Sequence, residues 1–195
     1  MAIRAVIFDL DGTITRPFID FEAIRRDMGL SKDAGPILEA MELMPEDQRQ
    51  RAWEVLRTHE DRAVEHSSLH PGAKQTIDTL RGKGLWVGVL TRNRRENALR
   101  VAERHGLVFD RVVGREQGPV KPDPYGVHLL CEGFGVAPAD TLVVGDYVHD
   151  LQCARAAGAI PVLMMSHHKA DEYRAYADFA VENLEKILQI VEEYD

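Results

Sequence analysis

Apolar positions near the start of the chain fall in one unbroken run, Val6-Ile7-Phe8, that gives way at once to Asp9-Leu10-Asp11-Gly12-Thr13. A run without polar alternation predicts a strand covered on both faces, here over residues 3–9. Gly12 ends it, since glycine accepts the backbone angles of a sharp exit. Over residues 16–68 the apolar spacing becomes that of helices. Phe21, Ile24 and Met28 share one helical face, which Gly29 stops. Ile37, Leu38, Met41 and Met44 mark a second helix ended by Pro45. Residues 46–66 form a third, with Ala52, Val55, Leu56 and Ala63 among its apolar positions and Pro45-Glu46-Asp47 supplying helix-start chemistry.

From Pro71 onward, helical and extended patterns alternate. A helix is predicted over 72–82, a buried strand over 85–90, a helix over 94–105 stopped by Gly106, and a short strand over 109–113. Asp123-Pro124 predicts a helix start, with Asp as N-cap and Pro at the first helical position. Residues 141–145 read as a strand followed by a helix to Ala157, and 160–164 as the last strand. Residues 182–193 read as an amphipathic helix, with the acidic tail Glu192-Glu193-Tyr194-Asp195 frayed into solvent. Alternating strands and helices imply right-handed crossovers and a mostly parallel sheet, so the class is α/β. The division that follows is a core of residues 1–15 plus 69–195, with an all-helical insertion over 16–68.

A length of 195 residues suits one domain carrying such an insertion. A net charge of −8 argues against nucleic acid and anionic membrane surfaces as partners, yet allows a small anionic substrate at a locally positive site. Cys131 and Cys153 suggest neither a disulfide framework nor a thiolate metal site, so a reducing cytoplasm is the expected compartment. Neither a signal peptide nor a membrane span is expected. Monomer and homodimer both stay open.

The chemistry is concentrated where strands should end. Asp9 and Asp11 follow the first strand, Thr91 follows the second, and Asp146 and Asp150 follow Gly145. Lys121, in Lys121-Pro122-Asp123-Pro124, precedes a helix. Parallel strands deliver such residues to one rim. Two acids at the end of a buried strand are costly unless a cation holds them, and hard carboxylate oxygens suit Mg²⁺. A lysine suits phosphate oxygens, and hydroxyl and backbone N–H groups at a helix start bind anions. A carboxylate can attack phosphorus and form an acyl phosphate, while a second carboxylate handles the proton of the leaving oxygen. Taken singly, the same residues also serve as turn, cap and surface positions.

Together these motifs, spread over residues 6–150, resemble those of the haloacid dehalogenase (HAD) superfamily, which is mainly phosphatases. Asp9-Leu10-Asp11-Gly12-Thr13 matches its first motif, Thr91 its second, Lys121 its third, and Gly145-Asp146 through Asp150 its fourth. The resemblance is closest to the phosphoglycolate-phosphatase-like branch with a small helical cap. It implies a Rossmann-like three-layer core with the cap inserted after the first motif. It further implies Asp9 as nucleophile, and Asp11 as general acid/base whose backbone carbonyl also ligates metal. Thr91 and Lys121 would bind the substrate phosphate, with Gly12 and Thr13 shaping the adjoining loop. Asp146 would bind Mg²⁺, with Asp150 as a further ligand or one held through water. One departure stands out, because Arg92 separates Thr91 from Asn93, where many relatives place Asn directly after the Thr. Asp11 favours phosphate-ester hydrolysis over dehalogenation or phosphonate cleavage. The expected enzyme is thus a Mg²⁺-dependent phosphatase of a small phosphorylated metabolite, working through an aspartyl phosphate. The alternatives are a sugar-phosphate mutase of the same superfamily and a noncatalytic binding protein on the same fold. His167-His168 read as loop residues, His149 as a residue that either tunes the site or faces solvent, Arg92, Arg94 and Arg95 as a charged helix face, and Trp53 and the methionines of the insertion as its core.

Overall fold

A computed structural model describes residues 2–194 of the chain. Strands β1 (Ala5–Phe8), β2 (Trp86–Leu90), β3 (Arg111–Val113), β4 (Thr141–Gly145), β5 (Ile160–Met164) and β6 (Phe179–Val181) form one sheet in the order β3-β2-β1-β4-β5-β6. Every pairing is parallel. The central place of β1 explains its composition, because all four of its residues are 0% exposed. Ala5 and Ile7 join a core cluster with Leu130 and Phe134 of α6 (Tyr125–Phe134) and Cys153 and Ala154 of α7 (Val148–Ala157). Val6 and Phe8 alternate to the opposite face and are equally covered. Helix α4 (Ala73–Gly82) packs on β2 and on α9 (Lys186–Tyr194). Helix α5 (Arg95–His105) follows β2, and the short α8 (Ala170–Tyr173) follows β5.

The chain leaves β1 toward β2 and β3, then returns to place β4 on the other side of β1. Strand order therefore reverses at β1, the position at which doubly wound sheets bind ligands. In-register pairing of Phe8 with both Val89 and Val144 brings the carboxyl ends of three strands to one edge.

Two compact units are present, residues 2–17 with 68–194, and Phe18–Ser67. The second is all-helical, built from α1 (Phe21–Met28), α2 (Ile37–Glu42) and α3 (Glu46–Glu65). Asp20 caps α1 by accepting from Ala23 N at 2.9 Å, and Gly29 ends it at φ 73°. Its core is Ile24, Ile37, Met41, Ala52 and Leu56, flanked by Met28, Met44 and Trp53.

Five details depart from the sequence pattern. β6 and α8 were not anticipated, since runs of three and four residues are too short to show a period. α6 starts at Tyr125, with Pro124 rather than Asp123 at the cap position, although Asp123 Oδ1 still accepts from Tyr125 N at 2.8 Å. α9 starts at Lys186 rather than near 182. The acidic tail is helical through Tyr194, not frayed, and Glu192 pairs with Lys83 at 2.9 Å. Asp195, the end of that tail, lies outside the described residues. Among the described residues no helix is long and apolar enough to cross a membrane.

Candidate active site

Asp9 continues the β1 ladder for one more bond, its N–H donating to Val144 O at 2.8 Å. Asp146 directly follows β4, and Asp150 lies in the first turn of α7. Because β1 and β4 are neighbours, these three acids converge. One carboxylate oxygen from each of Asp9, Asp146 and Asp150 lies within 4.8 Å of the others. Asp146 and Asp150 are buried, and the Asp9 side chain is 12% exposed.

Lys121 is the cation among them. Its buried ammonium donates to Asp9 Oδ1 at 2.6 Å, Asp150 Oδ1 at 2.5 Å and Leu90 O at 2.8 Å, which uses all three N–H bonds. Burial alone would depress the lysine, but Asp150 and Asp9 hold it above its ordinary pKa. One ammonium does not neutralise three carboxylates. Burial, less the attraction of Lys121 and plus repulsion from Asp150, pushes Asp9 up to about 7. Burial and repulsion from Asp9 and Asp150 push Asp146 well above the usual carboxylate range. An all-oxygen donor set with excess negative charge fits a hard divalent cation of the Mg²⁺ type.

Each acid is also held in orientation. Thr13 Oγ1 donates to Asp146 Oδ1 at 3.2 Å, and Tyr147 N donates to Asp150 Oδ2 at 3.1 Å. The Asp11 carboxylate stands outside the three-acid group and accepts instead from Asn93 Nδ2 at 3.1 Å. Burial raises Asp11, while Asn93, Lys121 and Arg115 pull it back down. Gly12 carries φ 94°, and a Cβ there would collide with the Asp146 carboxylate, so glycine is required on two counts. Ser166 Oγ donates to Gly12 O at 2.7 Å, and His70 Nε2 lies 3.2 Å from the same oxygen. Thr91, 3% exposed, accepts from Asn93 N at 3.0 Å, leaving its O–H free to donate elsewhere.

Of the residues singled out by sequence, Asp9, Asp146, Asp150 and Lys121 thus form one cluster. Thr13 and Gly12 touch or adjoin Asp146, and Asp11 and Thr91 are joined through Asn93. The sequence reading left Asn93 without a role and passed over Ser166. Ser166 follows β5 much as Asp9 follows β1, a strand-end signal that was available. Arg92 reaches Lys121 O and His149 Nδ1 rather than lying on an outer helix face. His167 sits edge-on to Tyr147, with centroids 5.4 Å apart, as part of a ring cluster with Tyr173.

A family model described as haloacid dehalogenase-like hydrolase matches residues 3–158. A haloacid dehalogenase-like hydrolase domain-containing protein of Arabidopsis thaliana is 30% identical across 97% of this chain and 84% of its own length. A phosphoglycolate phosphatase of Chromobacterium violaceum is 26% identical across 97% of this chain and 96% of its own. Among solved structures, a hydrolase from Pseudomonas syringae has the same fold. Its TM-score is 0.84 at 21% identity, covering 97% of this chain and 98% of that one.

Proposed function

The chain belongs to the haloacid dehalogenase-like hydrolase family, and from that premise we propose that it is a Mg²⁺-dependent phosphatase of a small phosphorylated metabolite, phosphoglycolate-like in class. The observation that carries this reading is the meeting of Asp9, Asp146 and Asp150 around the ammonium of Lys121. The relative named phosphoglycolate phosphatase supports the substrate class.

Asp9, Asp146 and Asp150 would hold the ion, together with the Asp11 backbone carbonyl. The ion, when bound, offsets the repulsion between a carboxylate and an anionic phosphoryl group. Asp9 is the nucleophile: a carboxylate oxygen forms a bond to phosphorus as the bond to the ester oxygen breaks. Asp11 gives its proton to that leaving oxygen, then takes one from the water that cleaves the aspartyl phosphate. Burial favours the protonated form of Asp11 that the first step needs. Lys121 stabilises charge on the transferring group. Thr91 contributes its O–H as a donor to a phosphoryl oxygen, and Gly12 and Thr13 shape the loop beside it. Selection of the ester is assigned to the helical insertion, as the family resemblance implies.

Phosphate release from a panel of metabolite esters, with Mg²⁺ or EDTA, tests this on the wild-type chain and on Asp9→Asn. Release that needs both the metal and Asp9 is the expected result. Undiminished release from Asp9→Asn removes the nucleophile assignment, and release in EDTA removes the metal. Isomerised sugar phosphate without net release marks a mutase. Partner binding with no turnover of any ester marks a noncatalytic protein.

A further inference from the structure

Behind Asp11 runs a line of side-chain amides whose polarity is set at its far end. Arg94 Nη2 and Arg100 Nη1 lie 3.2 and 3.4 Å from Asn97 Oδ1. Asn97, on α5, is 0% exposed. Its Nδ2 donates to Asn93 Oδ1 at 3.0 Å, an oxygen that also accepts from Arg94 N at 2.8 Å. Asn93, itself buried, then donates from Nδ2 to Asp11 Oδ2 at 3.1 Å. Guanidinium and backbone N–H groups only donate, so both asparagine oxygens must accept. Neither amide can turn over without setting donor against donor in a buried place, which costs the full desolvation of an unmade bond. The chain of bonds therefore has one direction, and it always presents N–H to Asp11.

We propose that Asn97, acting through Asn93, is a positioning residue that locks the rotamer of Asp11. Asn93 holds Oδ2, so the other oxygen, Oδ1, is the one that meets the leaving group. This rests on Asp11 being the proton donor of the reaction. Neither asparagine is a catalytic residue. Among the acids of the described residues, Asn93 hydrogen-bonds to Asp11, and Asn97 lies one amide further back.

Asn97→Asp is the discriminating variant. Its size is unchanged and its carboxylate still accepts from Arg94 and Arg100, but it has nothing to donate to Asn93. Asn93 Oδ1 then keeps only the Arg94 N–H and faces a carboxylate at position 97, so the amide loses its fixed direction and no longer holds Asp11 in one rotamer. Two near-isosteric probes, phenyl phosphate and p-nitrophenyl phosphate, separate a lost proton donor from general damage, because nitrophenolate leaves readily without a proton. The expected result is a fall in kcat of about 10- to 100-fold on phenyl phosphate, about threefold or less on p-nitrophenyl phosphate, and little change in either KM. Equal losses on the two esters, or none, overturn the proposal. If Asn97→Asp does not fold, as judged by its melting curve, Asn93→Ala removes the same donor nearer the rim and is read the same way. Asp11→Asn is the control for the underlying reading. If it shows the ester-dependent loss and the asparagine variants do not, only the positioning role fails; if it shows none, the proton-donor role of Asp11 fails as well.

Discussion

Lys121 is the residue on which the cluster's electrostatics turn, since its three N–H bonds all end on oxygens of the site. Lys121→Met would leave Asp9 and Asp150 facing each other without a counter-charge. The expected cost is about 3–5 kcal/mol in urea unfolding at neutral pH, the range for one partner of a buried pair removed. It should be smaller at pH 5, where Asp9 takes up a proton. The rate should fall by roughly 10²–10³, as when one electrostatic donor to a transferring group is lost. Asp9 and Asp146 also set a pH signature. Each holds its proton more tightly when folded than when unfolded, Asp9 up to about 7. Between an ordinary carboxylate pKa of about 4 and that value the folded chain binds more protons, so stability falls as pH rises. In EDTA the melting temperature should drop from pH 5 to pH 7, and Asp146→Asn should flatten that slope. Mg²⁺ should raise the melting temperature more at pH 7 than at pH 5, because only ionised ligands bind it. An unchanged slope in the variant would contradict the assignment.

At the scale of elements, β1 joins the fold to the site. Ile7 is fully buried against α6 and α7, and Ile7→Ala should cost about 2–5 kcal/mol in chemical unfolding. The loop after β1 is fastened from β5 through Ser166 and Gly12 O. Ser166→Ala should cost about 1 kcal/mol, the usual worth of one such bond. Strands β1, β2 and β4 were legible because a largely apolar run of four or five residues, stopped at once by Asp9, Thr91 or Asp146, is a strong local signal. β6 was not, because three residues acquire strand character only by pairing with β5. The start of α6 slipped by a residue because Asp123 and Pro124 both carry helix-start chemistry, and only the settled backbone decides between them.

For the whole molecule, every acid of the cluster and Lys121 come from the unit of residues 2–17 and 68–194. Replacing residues 18–67 by a short Gly/Ser linker should therefore leave the Mg²⁺-dependent rise in melting temperature intact. Calorimetry would check it, and loss of that rise in a folded variant would place part of the metal site in the helical unit. The chain alone determined that the fold is α/β with a mostly parallel sheet, and that acids, a hydroxyl and a lysine stand near strand ends. Those signals are local, written in apolar runs, caps and breaks. Tertiary structure alone decided that β4 lies beside β1, which turns two acids 137 positions apart, Asp9 and Asp146, into neighbours. It also decided that Lys121 reaches Asp9 and Asp150 at once, and that Asn93 serves Asp11. Strand order and the direction of a buried amide depend on contacts between distant segments, and no periodicity within one segment records them.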